Sequence, residues 1–118
     1  MRIILPALLC VFLVGTAMKA EDQLIKTALR VTVLDDSGNI TEGAEVQLYK
    51  SEEDYKKEVN PVTDKLITNE KGQVYFKELE PRVYYILATK GDMNNWSGGV
   101  QTDKLKEKKV NKINIIIE

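Results

Sequence analysis

The sequence has no histidine, one cysteine, three prolines and only 7% aromatic residues. Without histidine there is no Ser-His-Asp or Cys-His nucleophile and no imidazole ligand for a transition metal. Lys plus Arg number 17 against 18 Asp plus Glu, so the broad basic footprint that displaces counterions from nucleic acid is missing. No apolar run reaches the roughly 20 residues that a membrane-spanning helix needs. What remains is 118 residues with an ordinary apolar fraction of 43%. That suits one domain with one core.

The one sustained apolar run, Ile3 to Val14, follows Met1-Arg2 and leads into Gly15-Thr16-Ala17-Met18-Lys19-Ala20. A short basic start, an apolar stretch and a small-residue exit form the pattern of a secretory signal peptide. The expectation is therefore a leader over residues 1–20, cleaved after Ala20 or, as the second site, after Ala17. Pro6 within the run and the switch to charge at Glu21-Asp22 argue against a buried N-terminal helix or strand. Leu9 stands where an acylated cysteine would want a small residue, which argues against a lipid anchor on Cys10. A domain over 21–118 would hold no thiol. Small secreted eukaryotic domains commonly lean on disulfides, so a thiol-free one points to a bacterial periplasm or cell surface.

Residues 21–118 read as short strands. From Leu24 to Leu34, Ile25, Leu29, Val31 and Val33 alternate with mostly polar neighbours, as in a strand with one buried face. Asp35-Asp36-Ser37-Gly38-Asn39 supplies a turn, and Ala44, Val46 and Leu48 alternate in a second strand. Ser51-Glu52-Glu53-Asp54 has the form of a helix N-cap, predicting one short helical turn near 51–58 before Asn60-Pro61 stops it. Further strands are expected at Asp64–Thr68, Gln73–Leu79, Val83–Thr89, Ser97–Thr102 and Val110–Glu118. Steady spacing with turn signals between them predicts an all-β, seven-stranded antiparallel sandwich.

The residues Val33-Leu34-Asp35-Asp36-Ser37-Gly38, followed by Gly43-Ala44-Glu45-Val46, resemble the opening of carboxypeptidase regulatory-like domains. Thr68-Asn69-Glu70-Lys71-Gly72 with Phe76 and Leu79 is similar to their middle signature, and Pro81-Arg82-Val83-Tyr84 to the strand after it. The resemblance spans roughly residues 27–90. It implies a prealbumin-like Greek-key β-sandwich, a group whose members mostly serve as accessory or adhesive modules. The related Cna protein B-type domains often carry a Lys-to-Asn isopeptide bond. Val33 and Leu34 occupy the lysine's place here, so the bond is not expected, although Asn111, Asn114 and Glu45 resemble its other partners. Transthyretin-like hydrolases need histidines that this chain lacks.

Among ligand-binding candidates, the loop Asp92-Met93-Asn94-Asn95-Trp96-Ser97-Gly98-Gly99 stands first. An exposed Trp96 beside Asp92, Asn94 and Asn95 is the chemistry of sugar recognition: the ring covers an apolar sugar face while amides bond hydroxyls. The other reading is that Trp96 folds back over the sandwich and the asparagines satisfy their own turn. Asp35, Asp36 and Asn39 could join Asp92 and Asn94 around calcium only if the two loops shared one end; an ordinary turn uses the same residues. Asn39-Ile40-Thr41 and Asn95-Trp96-Ser97 fit the N-glycosylation triplet, which matters only in a eukaryotic secretory pathway. Lys104-Leu105-Lys106-Glu107-Lys108-Lys109 reads as a solvated hairpin. Lys112–Glu118 is rich in β-branched residues and would invite another strand if its edge stood unpaired.

The expectation is thus a non-enzymatic, secreted or periplasmic β-sandwich module with a binding or assembly role at the bacterial envelope. It needs no metal or cofactor, binds no nucleic acid and has no membrane span after leader cleavage. A protein or glycan partner is expected. A carbohydrate-binding module using residues 92–99 and a subunit associating through an edge strand are the two alternatives.

Overall fold

A computed structural model describes residues 26–118, so the expected leader lies outside the described residues. The strands are β1 (Thr27–Asp35), β2 (Glu45–Tyr49), β3 (Leu66–Ile67), β4 (Gln73–Leu79), β5 (Tyr85–Lys90), β6 (Met93–Asn94) and β7 (Val110–Ile117), with one helix, α1 (Glu52–Lys57), between β2 and β3. They form two sheets, ordered β4-β1-β7 and β3-β2-β5-β6. This is an all-β sandwich with a single short helix among the described residues.

Period-two alternation makes the core. Leu29, Val31 and Val33 of β1 face Val46 and Leu48 of β2, with Val74 and Phe76 of β4, Ile86 and Ala88 of β5, and Ile115 and Ile117 of β7 filling the same layer. Each fully buried side chain of this size contributes about 1.5–3 kcal/mol over its exposed state. The central strand β5 is covered on both faces, because Leu87 packs with Tyr49 and Tyr55 on the outer side of its sheet. The Tyr49 and Tyr55 rings meet edge to face, centroids 6.1 Å apart.

Local chemistry sets the ends of α1. The Ser51 side chain accepts the amide of Asp54, and Glu58 adopts the left-handed conformation at φ 54° as the C-cap. Glu53 and Lys57 pair at 3.1 Å one turn apart. At the corner beside Lys50, whose ammonium lies 3.8 Å from the Glu80 carboxylate, the Tyr84 hydroxyl accepts the Glu80 amide at 3.0 Å and donates to the Glu80 carbonyl at 3.1 Å. That closes the corner at Pro81 with a fully buried ring.

Two expectations are corrected. The sandwich is not purely antiparallel: β1 and β7 run parallel from Ala28↔Val110 to Asp35↔Ile117. The first and last strands have the whole domain between them, and only a tight hairpin would have forced the antiparallel sense. The expected strand over Ser97–Thr102 is broken. Pairing to β5 stops after Asn94, the chain loops out, and it returns only as a single bridge between Gln101 and Tyr85. Gly98-Gly99 lies in that loop, where side chains to hold a strand are missing. The strand near Asp64–Thr68 is real but shortened to two residues.

Candidate functional site

The loop between β6 and Gln101 shows why the outer edge of β5 survives the break. Asn95 is completely buried. Its Oδ1 accepts the Ala88 amide at 3.0 Å, and its Nδ2 donates to the Ile86 carbonyl at 2.9 Å and to the Gly99 carbonyl at 3.3 Å. One carboxamide thus stands in for the missing strand neighbour, and the Ile86 amide then reaches the Val100 carbonyl at 2.7 Å. Asn94 uses its Oδ1 to accept the Trp96 amide at 3.0 Å.

Both polar atoms of the Asn95 side chain thus serve the backbone, and the expected site residue lies inside the fold. Trp96 did not fold back: 63% of it is exposed. Asp92 is exposed, and Asn94, two residues on, is half-buried. Ser97 donates to the Glu118 carboxylate at 3.1 Å, tying this loop to the end of the chain.

The second candidate lies on β7. In the three-stranded sheet β7 has β1 on one side and no strand on the other among the described residues. Its eight residues alternate between partly or fully buried Asn111, Ile113, Ile115 and Ile117 and exposed Val110, Lys112, Asn114 and Ile116. Only beyond its last residue is it stitched to the other sheet, by the paired bonds between Glu118 and Asn94.

A cleft of about 360 Å³ opens beside the first half of β7, between that strand and the segment 102–106. Leu29, Leu105 and Ile113 give it an apolar floor, while Lys104, Lys106, Lys109 and Lys112 stand around it. Asp103 is the one carboxylate in the lining among the described residues. None of the four lysines forms an ion pair among the described residues, where the pairs involve Lys50, Lys56, Lys57 and Lys65.

Asn111 holds the segment over the cleft in place. Its Oδ1 accepts the Lys106 amide at 2.9 Å, and its Nδ2 donates to the Lys106 carbonyl at 3.0 Å and to the Ala28 carbonyl at 3.1 Å. Sequence reasoning read the lysine run as a solvated hairpin and so missed the cleft. The available signal was the lone Leu105 among charges, which is buried.

The remaining candidates have structural explanations. Asp35 accepts the amides of Ser37 and Asn39 at 3.0 and 2.9 Å. The Asn39 amide, more than any other group, holds the Asp35 carboxyl below the usual aspartate value. The Asp35 carboxylate is thus tied into its own turn, and no group of three or more acidic, thiol or imidazole ligands converges among the described residues. Glu45 pairs with Lys65 at 3.0 Å on the surface, and Val33 is wholly buried. Burial raises the Tyr84, Tyr55 and Tyr49 hydroxyls above their ordinary value. No helix among the described residues is long and apolar enough to cross a membrane.

An all-β sandwich with an exposed tryptophan loop, and with β7 at a sheet edge among the described residues, is what these residues define. No family model matches the chain, and no curated protein matches it. Among solved structures it is similar to BcpA, the major pilin subunit of Bacillus cereus, at 18% identity and a TM-score of 0.49, over 79% of this chain and 30% of that one. It is also similar to chlorocatechol 1,2-dioxygenase from Pseudomonas putida, at 19% identity and a TM-score of 0.45, over 79% of this chain and 61% of that one. A variant catechol 1,2-dioxygenase from Acinetobacter radioresistens matches at 13% identity and a TM-score of 0.45, over 83% of this chain and 53% of that one. The chain spans less than two thirds of each of these proteins. They are likenesses of fold alone.

Proposed function

We propose that residues 21–118 form a secreted or periplasmic module of the prealbumin-like Greek-key type, without a catalytic role, that works in assembly at the bacterial envelope by offering β7 to another strand. The leader pattern of residues 1–20 supports the compartment. The observation that carries the assembly role is the contrast between the two long edges of one sheet. On β4, a register shift opposite Thr27–Leu29, Glu78 at φ 56° and the charged pair Lys77-Glu78 disturb the edge. Bulges and charges are what keeps an edge from pairing with strangers. On β7 the register with β1 is unbroken over eight residues, and Val110 and Ile116 are 45% and 48% exposed.

The test is made in the source cell. Envelope extracts carrying the wild-type chain are expected to place it in a high-mass fraction on sedimentation. The exposed substitutions Val110→Lys and Ile116→Lys, which put charge on the free edge without entering the core, should return it to the monomer position. A wild-type chain that sediments as a monomer overturns the reading.

A second reading rests on Trp96. Its exposed ring, with Asp92 and Asn94 in the same loop, supports a small glycan-binding surface. Titrating cell-wall glycans should then shift Trp96 emission saturably, and less so after Asp92→Ala. A spectrum indifferent to every glycan removes this reading and leaves the first.

A further inference from the structure

We infer that the β7 edge is built for an extended acidic segment of a partner protein, which adds as a strand and sets its carboxylates against the lysines around the cleft. The inference deepens the assembly reading by naming the chemistry of the partner. Backbone pairing supplies attachment in strand addition, and pockets for alternate side chains supply choice of sequence. Here the pocket is present. Its floor of Leu29, Leu105 and Ile113 takes an apolar side chain, and Lys104, Lys106, Lys109 and Lys112 surround that floor.

Two further facts point to negative charge arriving from outside. The four lysines have no carboxylate partner among the described residues, although the chain as a whole carries more acids than bases. Arg30 lies in register with Lys112 across the sheet, so the cationic surface continues from the cleft over the neighbouring strand. Like charges directly opposite one another weaken a sheet. Acids on an added strand would relieve that repulsion.

Scale and rigidity fit the same occupant. Eight residues of strand extend roughly 27 Å, and alternate side chains on one face recur about every 7 Å. The lysines stand beside the first half of β7, so an added strand places about two carboxylates against them while its other side chains turn away. The Asn111 hydrogen bonds to Lys106 and Ala28 hold the cleft wall in the unbound protein. Less ordering is then left to be done on binding. Complementary charge of this kind governs encounter and partner choice more than total affinity.

The test is an amide-shift titration of the isotope-labelled protein with a capped octapeptide alternating glutamate and valine. Of three control peptides, one carries lysine in place of glutamate and two carry N-methyl groups on alternate amides of the acidic sequence, one in each phase. The expected result is saturable shifts along Val110–Ile117 with the acidic peptide, weakened by salt, and none with the lysine peptide. At least one N-methylated phase should fail. The double variant K106E/K109E, altered only at exposed positions, should bind the acidic peptide about tenfold more weakly or worse, since two ion pairs of ordinary strength together approach that factor.

Equal binding of acidic and basic peptides, shifts confined to other surfaces, or no shifts at all overturns the inference. So does a β7 edge already closed by a second copy of the chain. The sedimentation test with Val110→Lys and Ile116→Lys is read separately. An assembly that depends on β7 but takes no acidic peptide overturns this inference while the assembly reading stands.

Discussion

Arg30 and Lys112 face each other in register across the parallel pair of β1 and β7, two cations with no carboxylate salt-bridged to either among the described residues. On its other side Arg30 faces Tyr75, whose hydroxyl lies 3.5 Å from Nη1. A sheet optimised only for its own stability would place an acid in one of these positions. Lys112→Glu is therefore expected to stabilise the isolated protein by about 0.5 kcal/mol while reducing the assembled fraction. Urea unfolding and sedimentation on the same preparation measure the two effects. A variant that gains stability and keeps its assembly separates the lysine from function.

Asn95 is the residue on which the broken strand depends. Replacing it with Ala leaves the Ala88 amide and the Ile86 carbonyl buried without partners, and should cost about 3 kcal/mol. Asn95→Asp keeps the shape but loses both amide donors, so it should not rescue. Trp96→Ala, one residue on, should stay within about 0.5 kcal/mol because the ring is exposed. Chemical denaturation of the three variants checks the order.

The fold was legible where one physical signal decided the outcome. Alternating apolar residues marked β1, β2, β4 and β7 closely, because a half-buried strand has no other way to write its sequence. The Ser51 cap marked α1. Two things could not be read. The direction of β7 against β1 depends on a pairing across the whole chain, and nothing local encodes it. Asn95 and Asn94 look alike in sequence, yet one is a buried substitute for a strand and the other half-exposed. The same limit hid the cleft: Lys104, Lys106, Lys109 and Lys112 come together around Leu29 only because residue 28 lies beside residue 110.

Two glycines separate strain from space. Gly38 has φ +87° with nothing within 4 Å of a hypothetical Cβ, so Gly38→Ala meets backbone strain alone, about 1 kcal/mol. Gly72 has φ +72°, and a Cβ there would come within 3.1 Å of Ile40 Cβ, the Thr41 amide nitrogen and the Val33 carbonyl oxygen. Gly72→Ala should cost clearly more than Gly38→Ala. Thermal midpoints of the pair test this; equal losses would contradict it.

Stability should fall in alkali. Burial raises the Tyr84, Tyr55 and Tyr49 hydroxyls above the ordinary tyrosine value of 10.0. In the unfolded chain these groups lose protons first, so the folded state holds more protons above that value and stability declines as pH rises through it. Below it the contribution is fully present. Tyr84→Phe should lower stability near neutral pH by about 1 kcal/mol, through the lost bonds to Glu80, and should flatten the alkaline decline. Urea midpoints at about pH 8 and about pH 11 measure both; a decline unchanged in Tyr84→Phe assigns it elsewhere.

The central claim is that β7 is an edge in the isolated chain and an interior strand in the working one. Amide hydrogen exchange, compared between purified protein and the assembly recovered from envelopes, tests it most directly. The amides of Val110–Ile117 not bonded to β1 are expected to exchange fast in isolation and to become protected in the assembly, while β4 amides facing solvent stay fast in both. Protection appearing on β4 and not on β7, or on neither, would contradict it.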